Sequence, residues 1–391
     1  MAQGRAGGGE DVIDWPWLVA ALPALAFGMT VVNAIAWPTP RTRRVSARRR
    51  ISVLIPARNE AARLPGCLRA LAASGVPFHE IIVYDDDSTD DTRSVVERLG
   101  REIPGLRLER GVPLPRGWVG KPHACERLSK LASGDLLLFL DADVTLEPDG
   151  ADRLLAAMES TGADLLTAVP RQVVRSFAER LVVPFLLLTY VSWLPLALVA
   201  KTRDPRVVAA NGQLLMTTRR ALDALGGFAA IAHEIVDDVA LCRRAKGAGL
   251  RVAFVDGTAV ASCRMYRSAR EVWAGFSKNI CEGVGGGAAV AAVALLYFFT
   301  FVLPYPLAAF AWWGDVDALT MPAVAAASLN LAQRAVAAVR WAQPAEGLVT
   351  HPLGGLAVVA IAINSFLWNR RGRIRWAGRS YAPRAIRQEA H

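Results

Sequence analysis

Two carboxylates one residue apart, Asp141 and Asp143, follow the apolar run Leu136 to Leu140. Beyond a buried strand, such a pair can anchor a hard divalent cation through oxygen ligands while phosphate oxygens complete its shell. A cation clamped on a diphosphate neutralises the charge that develops on that leaving group, so the spacing suits chemistry on a diphosphate-linked substrate. Taken alone, the pair equally suits a strand-end turn stabilised by aspartate side chains. Two further polar clusters hold comparable places: Pro56-Ala57-Arg58-Asn59-Glu60 after Ile51 to Ile55, and Asp85-Asp86-Asp87-Ser88-Thr89-Asp90 after Ile81 to Tyr84. A second acidic pair, Asp237-Asp238, opens a helical stretch over 238–247, with His233 and Glu234 just upstream. It reads either as a general base within reach of an acceptor hydroxyl or as a pair that complements a helix dipole.

The runs at 51–55, 81–84 and 136–140 alternate with helical spacing at 60–73, 90–100 and 121–133, and Ser88 followed by Asp91 reads as a capping box. This alternation predicts parallel strands in an α/β sheet with helices on both faces. In such sheets ligands bind at the carboxyl ends of the strands, so the three polar clusters are expected to converge on one crevice.

The chain has 391 residues, 53% of them hydrophobic, which excludes disorder, collagen and a disulfide mini-scaffold. Of 45 Lys and Arg, six fall in residues 41–50 and seven in residues 370–391, leaving 32 bases against 35 acids in the body. A charge confined to two short flanks is not a nucleic-acid footprint, so no nucleic-acid partner is expected. The five cysteines are odd in number and show no C-x-x-C spacing, which points to a reducing compartment rather than a disulfide framework or a thiolate zinc site.

Residues 15–37 are 23 uncharged residues, enough to cross a bilayer. Glu10, Asp11 and Asp14 precede them and the arginine cluster follows, which places the next domain in the cytoplasm. The acidic leader argues against a cleaved signal peptide. Residues 288–313 and 348–368 read as two more spans, returning the basic tail to the cytoplasm. Between them, 318–340 carries Asn330, Gln333, Arg334 and Arg340, and is expected at the interface or packed within protein. Residues 181–200 are uncharged but interrupted by Pro184 and Pro195, and read as a membrane-surface helix. The expected organisation is a segment 1–40 with one span, a cytoplasmic domain 41–281, a membrane region 282–369 and a basic tail 370–391, in a multi-pass cell-membrane protein.

Val53-Leu54-Ile55-Pro56-Ala57-Arg58-Asn59-Glu60, Asp85 to Asp90, Gly117-Trp118-Val119-Gly120-Lys121 and Phe139-Leu140-Asp141-Ala142-Asp143 resemble, in order and spacing, the nucleotide-sugar half of family 2 glycosyltransferases. Asn211-Gly212-Gln213-Leu214, Gly226-Gly227-Phe228 and Asp237 to Leu241 are similar to that family's acceptor half. Ser262 to Ser268, continuing from Glu271 to Asn279, resembles its membrane-anchored subgroup of carotenoid-acid and hopanoid-associated glycosyltransferases. The resemblance implies a GT-A-type α/β fold, a mixed and mostly parallel sheet, with N- and C-terminal transmembrane helices. It implies that Pro56, Arg58 and Glu60 line the nucleoside pocket, that Asp86 with Asp85 contacts uracil and ribose, and that Lys121 sits near the sugar or diphosphate. Asp143, supported by Asp141, would bind Mg²⁺ or Mn²⁺. Asp238 corresponds to the general base, with Asp237 where the family usually has Glu, while Gly212, Gln213, Arg264 and Trp273 lie on the acceptor side.

The processive members' Gln-x-x-Arg-Trp motif is missing, since Arg375-Trp376 has Gly372 where Gln is required. The expected activity is therefore an inverting, metal-dependent and non-processive transfer of a sugar from a UDP-sugar to a membrane lipid such as a carotenoid or hopanoid. A polyprenyl-phosphate glycosyltransferase shares the donor half. A membrane scaffold with a nucleotide-sensing domain is the reading from another class, and the intact Asp86, Asp143 and Asp238 argue against it.

Overall fold

The computed structural model describes residues 15–42, 49–371, 374–376 and 379–381. Glu10, Asp11 and Asp14, half of the arginine cluster (Arg43, Arg44 and Arg48) and most of the tail, on which the expected orientation rests, lie outside the described residues.

Eight strands form one sheet: β1 (Ile51–Ala57), β2 (Glu80–Asp85), β3 (Leu106–Arg110), β4 (Leu136–Leu140), β5 (Val144–Leu146), β6 (Leu165–Gln172), β7 (Leu214–Thr218) and β8 (Val252–Cys263). Their order is β3-β2-β1-β4-β7-β6-β8-β5. Strands β1 to β4 run parallel, as the alternation predicts, but β7 inserts antiparallel between β4 and β6, and β5 pairs antiparallel with β8. The sheet is thus mixed. A short pair, β9 (Ile374–Trp376) and β10 (Arg379–Tyr381), stands apart.

The unbroken apolar character of β1 and β4 follows from burial on both faces. Val53, Ile55, Leu136, Leu138 and Leu140 point into one core layer with Leu64, Leu68, Val96 and Leu154 of the covering helices. Leu54, Leu137 and Phe139 point into the other, against Ala124, Cys125, Leu128 and Leu241. Each such fully buried aliphatic side chain contributes about 1.5–3 kcal/mol. All five cysteines are buried free thiols.

The expected capping box at Ser88 and Asp91 does not form. Helix Thr92–Gly100 starts one residue later, with no side-chain cap from Asp91. Asp90 Oδ1 accepts the Thr92 amide at 3.0 Å, and Ser88 Oγ accepts the Asn59 amide at 2.9 Å. The serine therefore ties the β1 loop to the β2 loop rather than capping a helix.

A third apolar layer joins β6 and β8 to the remaining helices through Trp37, Phe185, Val191, Phe254, Phe301 and Trp341. Trp15–Ala36 and His351–Arg370 are long and apolar enough to cross a membrane, and Ala269–Val284 with Gly287–Val302 is a pair bent by 115°. The segment 181–200 is not one helix. Pro184 and Pro195 break it into Phe177–Val182, Pro184–Trp193 and Leu196–Val199, and much of it is buried between the sheet and the apolar helices. Helix Asp317–Trp341 turns Asn330, Gln333 and Arg334 inward. Gln333 donates to Thr30 Oγ1 at 2.8 Å and to Ser192 Oγ at 2.7 Å, and Asn330 donates to the Thr300 carbonyl at 2.7 Å. Such bonds let these amides sit inside an apolar bundle.

Candidate active site

One cavity at the carboxyl ends of β1 and β4 is lined by Pro56, Lys121, Asp141, Gly212, Asp237 and Asp238, residues from segments far apart in sequence. Topology explains the convergence. Because β7 is antiparallel to β4, its start lies at the end of β4, and the Asp141 amide donates to the Gln213 carbonyl at 3.0 Å. Lys121 enters from the first turn of helix Gly120–Leu131, and Asp237 and Asp238 from the first turn of helix Asp237–Gly247. The positive end of that helix dipole offsets part of the cost of two adjacent carboxylates.

Lys121 is the centre of the charge arrangement. Its Nζ lies 2.7 Å from Asp141 Oδ1 and donates to the Gly212 carbonyl at 3.1 Å. Burial opposes its charge, but Asp141 and Asp237 outweigh burial and hold it protonated well above the usual lysine range. A Cβ on residue 212 would stand 3.3 Å from both Lys121 Nζ and Asp238 Cβ, so glycine lets the backbone approach both groups. Burial pushes the Asp237 carboxyl up to about 6 against the pull of Lys121, and raises Asp238 in the same way.

Asp143 sits beside this cavity with Oδ1 buried and without a hydrogen-bond partner among the described residues. Burial and the nearby Asp141 and Glu60 push its carboxyl up to about 7. Glu60 is raised by burial and is paired with Arg63 at 3.0 Å. Among the described residues, no three His, Cys, Asp or Glu side chains come together to hold a metal. A buried carboxylate oxygen with no partner, repelled by neighbouring acids, is what a divalent cation relieves. Asp143 with Asp141 therefore fits Mg²⁺ or Mn²⁺ when the remaining oxygens come from a diphosphate and water.

The residues expected to face a nucleoside divide. Asp86 is buried and raised by burial, and Arg379 grips both its oxygens, with Nη2 to Oδ1 at 3.1 Å. Arg58 donates to the Asp86 carbonyl. Asp85 is fully buried, held by the Arg93 guanidinium and by the Ser88 amide at 3.2 Å, so its carboxylate braces the loop.

On the acceptor side, Gln213 is buried, donates to Cys263 Sγ at 2.9 Å and accepts from Gln172 at 2.9 Å. Arg264 does not line the cavity. It forks onto Glu179 at 2.9 and 3.0 Å, where Glu179 closes a capping box with Ser176. These bonds hold the Glu179 carboxyl down at about 2 against burial. Trp273 is 40% exposed on helix Ala269–Val284. His233 and Glu234 pair with each other at 3.5 Å.

The residue the sequence did not single out is Lys278. Helix Ala269–Val284 starts at the Ser268 cap, ties to the sheet domain through Glu271 and Arg63, and carries Lys278 toward Lys121, Asp141 and Asp237. Burial and the charge of Lys121 bring its ammonium down to about 8.

Residues 52–203 match the family described as Glycosyl transferase family 2. The 4,4'-diaponeurosporenoate glycosyltransferase of Staphylococcus haemolyticus is 29% identical over 238 residues, 60% of this chain and 61% of that protein. Its namesake from Staphylococcus aureus strain USA300 is 28% identical over 239 residues, 60% of this chain and 62% of that protein. The matched part thus spans about three fifths of these relatives' length. A mannosyltransferase from Pyrobaculum calidifontis, solved in complex with GDP-Man and Mn²⁺, shares the fold, with a TM-score of 0.54 and 20% identity over 91% of this chain and 99% of that one. The sheet is of the GT-A type, and residues 52–203 are similar to the glycosyl transferase family 2 domain.

Proposed function

We propose that this protein is a multi-pass membrane glycosyltransferase with its sheet domain in the cytoplasm, moving one sugar from a UDP-sugar to a lipid acceptor with inversion. The observation that carries this is the single cavity shared by Lys121, Asp141, Asp237 and Asp238 beside the partnerless oxygen of Asp143. The relatives' carotenoid-acid name and the apolar helices packed on β6 and β8 support a lipid acceptor.

Pro56, Arg58 and Glu60 line the nucleoside side, where Asp86 reads the base and ribose. Asp143 and Asp141 would hold a divalent cation, which would supply positive charge to offset that developing on the diphosphate. Lys121 and Lys278 add positive charge beside the same oxygens, fixed before the reaction begins. Asp238 takes the proton from an acceptor hydroxyl as that oxygen bonds to the sugar's anomeric carbon; the bond to the diphosphate breaks, and UDP leaves with the electron pair. Asp237, whose carboxyl titrates near neutrality, shares the charge of Lys121 and positions its neighbour. Gly212 keeps the backbone out of the path, and Gln213 and Trp273 shape the acceptor side, while Arg264 braces Glu179. An acceptor that is already a carboxylate needs no base, so dependence on Asp238 separates the two acceptor chemistries.

The test is to incubate the detergent-purified full chain with a panel of UDP-sugars and extracted membrane lipids, and to follow mass gain by mass spectrometry. A hexose-sized gain on a lipid is expected. Labelled product confined to the aqueous fraction would overturn the lipid acceptor.

A further inference from the structure

The bundle of apolar helices holds a positive charge that nothing in the transfer chemistry uses. Arg334, on helix Asp317–Trp341, is 2% exposed, and its Nε and Nη1 have no hydrogen-bond partner among the described residues. Beside it, His351 at the start of helix His351–Arg370 is 1% exposed, with both ring nitrogens unpartnered, and the Tyr305 hydroxyl is unpartnered too. The three belong to one cluster. His351 stacks on Phe185 at 5.2 Å, meets Tyr305 at 6.3 Å, and the Arg334 guanidinium lies 5.9 Å from the centre of the same Phe185 ring. No carboxylate forms an ion pair with Arg334 among the described residues.

A Cβ at residue 347 would stand 1.7 Å from Arg334 Nη2, so glycine there leaves room for the guanidinium. Phe301 closes a wall edge-on to His351 at 5.2 Å. A guanidinium taken out of water with no counter-charge is among the costliest groups a fold can hold, and inside an apolar bundle it marks a site by default. Its unpartnered Nε–H and Nη1–H donors suit a carboxylate or phosphate, and histidine and tyrosine add further donors.

We infer that Arg334, His351 and Tyr305 form a binding site for the anionic headgroup of a lipid, a phosphate or a carboxylate. The inference rests on reading these helices as membrane-embedded, and it does not depend on which sugar or acceptor the catalytic cavity takes. Helix Pro184–Trp193 connects the two places: Phe185 faces the cluster, while the Tyr190 hydroxyl donates to the Ala210 carbonyl beside Asn211 and Gly212.

The experiment is a thermal-unfolding titration of the full chain in a neutral maltoside detergent. Dodecyl phosphate is compared with dodecanol, which has the same chain without the charge, and with inorganic phosphate, which has the charge without the chain. Dodecyl phosphate is expected to raise the Tm of the natural protein by roughly 5 °C at saturation. Half-saturation is expected to need at least about tenfold more of it in Arg334→Gln. Tyr305→Phe keeps the ring and removes one donor, and weakens the response severalfold even if Arg334→Gln folds poorly. UDP binding stays unchanged in both variants, which separates failure of this site from failure of the catalytic reading. Equal stabilisation by dodecanol or by inorganic phosphate, or a response unchanged in both variants, would overturn the inference. Competition by dodecyl phosphate against the lipid acceptor assigns the site to the acceptor's own headgroup; stabilisation without competition assigns it to a resident lipid.

Discussion

Replacing Lys121 by methionine keeps the length of the side chain and removes its charge. In the protein, Nζ stands 2.7 Å from Asp141 Oδ1, a separation worth about 6 kcal/mol of gross attraction at an effective dielectric of 20. Desolvation of both groups cancels much of that, and the two side chains retain 18% and 28% of their exposure. Losing one partner of such a partly buried pair costs on the order of 2–4 kcal/mol. If the charge faces the diphosphate in the transition state, kcat/KM falls roughly 30- to 1,000-fold. A second signature has a fixed direction. Asp237 titrates near 6 with Lys121 beside it, and Asp238 feels the same cation. Without that cation both carboxyls hold their protons to higher pH, so the acid limb of the kcat/KM profile moves upward. Lys121→Arg preserves the sign of the charge and should leave the limb near its place. The assay is initial rate with labelled UDP-sugar and lipid extract from pH 5 to 9, with UDP binding measured in parallel. A methionine variant with natural kcat/KM and an unmoved acid limb refutes the placement of Lys121 at the reacting diphosphate.

Asp238→Asn should retain UDP binding and lose transfer to hydroxyl acceptors by a factor on the order of 10² to 10⁴; near-natural rates with a hydroxyl acceptor would move the base to another group. In metal-free buffer, Asp143→Asn should melt above the natural protein, because the Asp143 carboxyl has an ordinary value of 3.8 and is pushed up to about 7 in the fold. The stability that its proton supplies is complete below the ordinary value and lost as pH rises through 7, so the variant's Tm advantage is larger at pH 7.5 than at pH 5. A constant advantage across that window would contradict the sign. The same variant should lose the part of UDP affinity that depends on added Mg²⁺ or Mn²⁺, measured by calorimetry. Reporter fusions after residue 50 and after residue 391 should both read as cytoplasmic; external signals from both would reverse the orientation.

The ends of β1 and β4 were legible because Pro56 and Asp141 follow runs so apolar that their ends are marked in the sequence. The roles within each cluster were less so. Asp85 and Asp86 are neighbours in a run of acids, but Asp85 is the last residue of β2 and points inward to Arg93, while Asp86 is the next one and meets Arg379 from the far end of the chain. Nothing local to residues 85–90 carries that distinction. The antiparallel insertion of β7 was hidden for a similar reason, since direction is decided by where a strand's partners lie and not by its own five residues. Lys278 was invisible because a helix more than 150 residues beyond Lys121 folds back over the site. Arg264 has the charge and position expected of an acceptor contact, yet Glu179 claims its fork, an outcome set by a capping box 85 residues earlier.

Strand β8 touches both worlds of this molecule. Near one end, Trp37 donates to the Phe254 carbonyl at 3.0 Å and Arg340 bonds Asp256 at 2.9 Å; at the other end, Cys263 meets Gln213 beside Asp143. Strand β8 bulges between Gly257 and Ser262, so the partners of Asp256 and Cys263 on β6, Val169 and Gln172, lie only three residue steps apart, about 10 Å. Because the strand is hydrogen-bonded along much of its length, it acts as a rigid gauge between the apolar helices and the transfer site. A substrate anchored among those helices presents its reacting oxygen only if its own polar end reaches that distance. Molecular length, rather than headgroup chemistry alone, thereby becomes a criterion of selection.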